Sequence, residues 1–317
     1  MAFTSVLCSV DFSEHSREAL RVAAMVAARR GATLRVVHAI DLLLAEAAAA
    51  AYDEQHLRDE ATSDLRAFVS RELDLSGPGT EPALEIRIGR PDREILEAAI
   101  AADSDLIVMG THGLGGFRKL FFGSVTERVL RATTIAVLAV PLDERRRLHP
   151  SRPAIASVLG AIDLDHMAIP LAVACRTVAA ALNVRLTLLH AVPPLRASGA
   201  WTGPFDKGLA QRLETANLTL DHIARSLDEA HPPKVMICSG SPAEEIAAAA
   251  AELPNVLVTV GLAGSGVLHR PGSTAYRVLT LSPAPVLGLP FEAVARLTTE
   301  DAVSVAAAPL QPGSAAL

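Results

Sequence analysis

Aromatic side chains are scarce in this chain, 3% of 317 residues with a single Trp. That scarcity argues against an aromatic binding surface and for a core of aliphatic helices packed on a sheet. Only three cysteines occur, Cys8, Cys175 and Cys238, and none forms a CxxC pair. So sparse a set excludes a disulfide framework and points to a reducing, cytoplasmic compartment, with Cys8 and Cys238 serving as small hydrophobes in strand-like runs. Positive charge is also short. The formal net charge is -6, and the one basic run, Arg145-Arg146-Arg147, has the composition of a solvated linker. A nucleic-acid partner, which needs a basic face, is not expected. Met1–Asp11 lacks the charged start and apolar run of a signal peptide. The alanine tract Ala47–Ala51 is closed by Tyr52-Asp53-Glu54, so no membrane span is expected either.

What is present is aliphatic and repeated. Hydrophobic residues make up 50% of the chain, and the length suggests two domains. Ser5-Val6-Leu7-Cys8-Ser9-Val10-Asp11 returns as Ser157-Val158-Leu159-Gly160-Ala161-Ile162-Asp163, and the same spacing carries Leu34–Ala39 onto Leu186–Ala191. After a one-residue slip Gly89 matches Gly240, Ile95 matches Ile246, and Val108-Met109-Gly110 matches Thr259-Val260-Gly261. Val137–Pro141 then matches Val286–Pro290. Anchors in one order along the chain mean two copies of one domain. Residues 1–143 and 154–291 are read as the copies, 144–153 as a charged, proline-containing linker, and 292–317 as a mobile C-terminal tail.

In the first copy, short apolar runs at Ser5–Val10, Thr33–Ala39, Ala83–Ile88, Asp105–Met109 and Thr134–Val140 read as strands. Helical patterns fall at Ser16–Arg30, stopped by Gly31, and at Leu57–Leu73, Arg93–Ala102 and Val125–Arg131. Pro91 sits near a helix start, where its missing N–H costs little. Buried strands alternating with helices imply an α/β fold, with a five-stranded parallel sheet covered on both faces in each copy. Ligands then bind at the carboxyl ends of the strands, where strand order reverses; Asp11 and Gly110 both fall on that rim.

Between the fourth strand and the next helix runs Gly110-Thr111-His112-Gly113, and on to Gly123-Ser124. Gly110 and Gly113 permit sharp turns and close approach to a ligand. Gly123-Ser124 opens the helix, whose unpaired N–H groups and dipole attract an anion. Ser124 serves either as the helix cap, with Glu127 three residues on, or as a phosphate donor. Arg118 and Lys119 carry positive charge in the loop between. From the residues alone, turn glycines and a phosphate cradle both remain open. His112 is either a ligand contact or a turn residue; His38 and His190, each ending an aliphatic strand, read as structural.

The spacing Gly-x2-Gly-x9-Gly-Ser after the fourth strand resembles the nucleotide-binding signature of the universal stress protein family. The resemblance extends to Val125–Leu130 and to the opening strand that ends in Val10-Asp11. It implies two tandem Rossmann-like domains of the adenine nucleotide alpha hydrolase-like type, joined as an intramolecular pseudodimer through their last strands, with a homodimer of chains left open. It further implies ATP as ligand, with Mg²⁺ or Mn²⁺ on its phosphates. Asp11 would reach the adenosine, and Ser9 and Ala39 would line the base. Gly110, Gly113, Gly123 and Ser124 would hold ribose and phosphates, and Val125 would add a backbone N–H. In the second copy Asp163, Gly261, Gly264, Gly272 and Ser273 correspond. There only seven residues separate Gly264 from Gly272, against nine between Gly113 and Gly123, and Pro271 removes a donor, so weaker binding is expected. The implied function is a regulatory nucleotide-binding module of the stress response with slow or no ATP hydrolysis. The alternatives are an interaction protein with vestigial sites, or an ATP-using enzyme; HIGH and SGG-type loops, which such enzymes carry, are absent. A dinucleotide site fails because Asp11-Phe12-Ser13-Glu14-His15 contains no glycine.

Overall fold

The computed structural model describes residues 2–48, 53–73, 81–112, 123–142, 155–194, 208–262 and 273–306. In the first copy the strands are β1 Ser5–Ser9, β2 Thr33–Ile40, β3 Ala83–Ile88, β4 Leu106–Gly110 and β5 Ala136–Val140. The helices are α1 Glu14–Arg30, α2 Leu42–Ala48, α3 Glu54–Glu72, α4 Pro91–Ala101 and α5 Ser124–Ala132. The second copy supplies β6 Ser157–Ala161, β7 Arg185–Val192, β8 Lys234–Ser239, β9 Val256–Gly261 and β10 Val286–Leu289. Its helices are α6 Ala168–Leu182, α7 Leu209–Leu227, α8 Pro242–Glu252 and α9 Ser273–Leu281, followed by α10 Phe291–Ala306.

Local chemistry sets the helix limits. The Ser13 side chain caps α1 by accepting from the Ser16 N–H, and Gly31 ends it at φ 62, the left-handed conformation that glycine adopts without penalty. Helix α3 starts at Glu54 rather than Leu57 because Asp53 caps it, accepting from the His56 N–H at 2.7 Å. Helix α5 starts at Ser124 with Gly123 at the cap position, so Ser124 is the first helical residue and not the cap.

The ten strands form one sheet in the order β3-β2-β1-β4-β5-β10-β9-β6-β7-β8. Pairing is parallel within each copy and antiparallel at the single β5–β10 junction. There Leu138 faces Leu287, its own counterpart in the repeat, with Val286 opposite Ala139 and Gly288 opposite Val137. A pseudo-twofold axis therefore passes through the Leu138–Leu287 pair. One face of the sheet buries α1, α3, α6, α7 and α10; the other buries α4, α5, α8 and α9. Core volume is traded between the copies: β1 carries Cys8 where α1 offers Ala23, whereas β6 carries Gly160 where α6 offers Cys175. A Cβ on Gly160 would stand 2.8 Å from the Cys175 sulfur, so the two positions compensate in size. Burial raises the Cys175 thiol to about 12, and Cys8 still higher, as expected of core hydrophobes.

Both faces also tie the copies together. The Arg29 guanidinium at the end of α1 donates to the carbonyls of Leu182 and Ile155 in the second copy, at 3.3 and 3.2 Å. On the opposite face, the Tyr276 hydroxyl of α9 donates to Glu127 of α5 at 3.2 Å, and Arg131 lies over the Tyr276 ring.

The expected mobile tail from residue 292 is corrected in its first part. Phe291–Ala306 is helical, and Ala293, Val294 and Leu297 are buried. The Thr177 hydroxyl of α6 donates to the Leu297 carbonyl at 3.3 Å, and Ala293, Arg296 and Leu297 line a recess with Ala2, Phe3, Asp105 and Ala136 of the first copy. Residues 307–317 lie outside the described residues. We expect Leu297→Ala to destabilise the chain by about 2–4 kcal/mol in urea unfolding; an unchanged midpoint would mean that α10 is not part of the core.

Candidate functional site

Strand order 3-2-1-4-5 in the first copy reverses between β1 and β4, and the crevice at their carboxyl ends is the rim on which Asp11 and Gly110 stand. The β1–α1 turn is tight. Asp11 Oδ1 accepts from the Ser13 N–H at 3.1 Å, and Phe12 is left-handed at φ 63, a conformation that costs a bulky residue of order 1 kcal/mol. The Phe12 ring is fixed by edge contact with Phe68 and by His38 at 4.4 Å between centroids. His38 Nδ1 donates to the Val10 carbonyl at 2.9 Å, and burial pushes this imidazole below its ordinary range. His38 is thus a structural histidine, and His190 repeats the bond to the Ile162 carbonyl at 2.8 Å.

Opposite this turn, β4 ends in Gly110 against the first turn of α1. A Cβ on Gly110 would stand 2.8 Å from the His15 Cβ and 2.9 Å from the His15 carbonyl carbon, so only glycine allows this approach. The chain then continues through Thr111 and His112. Gly123 returns beside them, its N–H donating to the Thr111 carbonyl at 2.7 Å, and the Thr126 hydroxyl donates to the Gly110 carbonyl at 2.9 Å. A Cβ on Gly123 would be 3.0 Å from the Thr111 carbonyl oxygen. The N-terminal turns of α1 and α5 are thereby brought to the same crevice, and both helix dipoles favour an anion there.

Ser9 and Ala39 are half-buried at the ends of β1 and β2, Ser124 is exposed at the start of α5, and Val125 packs partly against the core. The structure brings Asp11, Gly110, Gly123 and Ser124 to one end of the sheet. Gly113, Gly264 and Gly272, with Arg118 and Lys119, lie outside the described residues.

The second copy keeps the backbone hydrogen bonding at this end of the sheet but carries apolar side chains at the matching positions. The Leu262 N–H donates to the Leu289 carbonyl as Thr111 does to Val140. Leu171 stands where the first copy has Ala19, Met167 where it has His15, and Leu262 where it has Thr111. Gly261 there meets only the Leu171 methyls, at 3.4 Å or more from a built Cβ. Asp163 is exposed, and the turn is closed instead by Asp165 Oδ1, which accepts from the Met167 N–H at 2.8 Å. Helix α9 begins at Ser273. Reading the glycines alone missed this apolar replacement; setting Ala19 against Leu171 and His15 against Met167 in the two copies would have shown it.

A sequence profile of the universal stress protein family matches residues 2–141 and again 157–290. The chain belongs to the universal stress protein family. A universal stress protein of Thermus aquaticus, from the QAH/OAS sulfhydrylase 3' region, is 37% identical over 139 residues, covering 44% of this chain and 98% of its own length. Universal stress protein A homolog 1 of Coxiella burnetii is 32% identical over 151 residues, covering 45% of this chain and all of its own. Each such relative corresponds in length to one copy of the repeat. Across the whole chain, the crystal structure of a universal stress protein from Archaeoglobus fulgidus superposes with a TM-score of 0.61, at 22% identity, over 90% of this chain and 98% of that one. That likeness shows the same tandem α/β fold. Among the described residues no helix is long and apolar enough to cross a membrane.

The unequal surroundings of the two rim glycines have a measurable consequence. Gly110→Ala should destabilise the protein by about 1–3 kcal/mol through overpacking against α1, whereas Gly261→Ala should cost under about 1 kcal/mol. Equal losses in denaturant unfolding would contradict the geometry described for the two crevices.

Proposed function

We propose that the first copy binds an adenine nucleotide, ATP, in the β1/β4 crevice, and that the protein acts as a regulatory nucleotide-binding module in the stress response. One observation carries the reading: two helix N-termini meet over a glycine whose side-chain space is already taken. Backbone N–H groups there suit phosphate oxygens. Asp11, two residues beyond β1, would meet a ribose hydroxyl, and Ser9 and Ala39 would line the base. Gly113, Ser124 and the backbone of Val125 complete the proposed set. Membership of the family supports the stress-response role.

Among the described residues no group of three His, Cys, Asp or Glu side chains converges on a metal position. A Mg²⁺ or Mn²⁺ ion accompanying the triphosphate is part of the same proposal. Slow or no hydrolysis belongs to the same proposal: Asp11 Oδ1 is engaged by the Ser13 N–H and His38 Nδ1 by the Val10 carbonyl, so both side chains hold turn geometry. The second copy, with Met167, Leu171 and Leu262 at the positions of His15, Ala19 and Thr111, is proposed as the scaffold half.

Titration calorimetry with MgATP should therefore give one nucleotide per chain. Gly123→Val, which crowds the Thr111 carbonyl, should weaken binding at least about tenfold. Absence of ATP binding to the wild type would overturn the reading, and two equal sites would overturn the asymmetry. Phosphate release faster than about one per second would make the protein an enzyme instead.

A further inference from the structure

Two histidines meet at the rim of the first crevice. His15, in the first turn of α1, and His112, just beyond β4, face each other with ring centroids 5.0 Å apart. They meet because Gly110 lets the end of β4 touch the His15 backbone. Thr111 Oγ1, on a buried residue, lies 3.0 Å from His112 Nδ1 and holds that ring. His15 is half-buried. Among the described residues, the charged or titratable groups that act on it are His112 from beyond β4, Asp11 from the β1–α1 turn and its neighbour Glu14. Farther along α1, Arg17 and Arg21 are engaged by Glu72 of α3.

A triphosphate brings several negative charges into a space whose described side chains are two carboxylates and two imidazoles. Helix dipoles supply only part of the compensation. An imidazole side chain is able to add positive charge by taking up a proton near neutral pH. The second copy has Met167 and Ala263 at the two positions, so the pair is confined to the first crevice.

Resting on the nucleotide reading, we infer that His15 and His112 form a proton-linked phosphate clamp, in which the pair takes up a proton as the polyphosphate enters and holds it more tightly as pH falls. The direction follows from the free protein. Burial first, and His112 second, push His15 below its ordinary range, against the pull of Asp11 and Glu14, so His15 is neutral at neutral pH. An anion beside the pair favours the charged form and raises its proton affinity. Binding then couples to proton uptake, and affinity rises as pH drops through the interval between the free and bound values.

The test is calorimetry of MgATP and of adenosine at pH 6 and pH 8, on the wild type and on His15→Asn/His112→Asn, each checked for folding by thermal melting. The wild type should bind ATP about tenfold more tightly at pH 6, with a heat that varies with buffer ionisation enthalpy as protons are taken up. Adenosine should show no such dependence, and the double variant should lose most of the pH response to ATP, which separates the clamp from titration of the nucleotide's own phosphate. Ring NMR should find His15 titrating low in the free protein and higher with ATP bound. ATP binding with the same pH slope in wild type and double variant would overturn the clamp while leaving the nucleotide reading intact. A pH slope for adenosine equal to that for ATP would also overturn it. No ATP binding at either pH would remove both.

Discussion

Strand β5 has all five of its side chains buried, and an open edge of that character demands a partner. β10 answers it with four buried residues in antiparallel register, Leu287 against Leu138. Everything larger is built outward from this pairing. It fuses two five-stranded sheets into one, sets the pseudo-twofold axis, and brings α5 and α9 close enough for Tyr276 to reach Glu127. The two core layers become continuous across the junction, and α10 seals one of them by packing on α6 while touching the first copy. Stability of either half is thus bound to the other, and the crevices sit on a common, stiff support.

On that support the copies have diverged in side chains far more than in backbone. The hydrogen bond from residue 111 to Val140 is repeated from residue 262 to Leu289, yet Thr has become Leu. Ala19 has become Leu171, and the histidine of the first turn has become Met167. Such changes fill space with methyl groups and remove polar partners, which disfavours a charged ligand more than any shift of the chain would. A tandem chain permits this division, because each site is encoded separately; identical subunits would have to change both together.

Much of this was legible in the residues. Short apolar runs alternating with helices specified a parallel sheet, the internal repeat specified two of them, and Asp11 and Gly110 do fall at the carboxyl ends of β1 and β4, where strand order reverses. Gly31 marked a helix end because left-handed geometry requires a residue of its kind. The unread parts have physical reasons. Helix α2 begins Leu42-Leu43-Leu44, all exposed, so it has no one-sided apolar stripe to reveal it. Helix α10 was hidden by the composition of the residues after it, although Val294 and Leu297 already stood three apart as a buried helical pair. His15 could not be paired with His112 from spacing, since their meeting depends on the register that sets β4 beside β1. Gly110 and Gly261 are the same residue type, and only their neighbours, a backbone in one case and leucine methyls in the other, distinguish them.

The fused sheet also has consequences at its far ends, β3 and β8. Neither has a buried residue, and β3 carries Glu85 held between Arg35 and Arg87 at 2.9 and 2.5 Å. Charges fixed along an outer strand discourage further strand addition. The apolar edge of β5 is consumed internally, and the edge left open at β3 carries fixed charge. Duplication has in this way converted the outer edge of β5 into an interior.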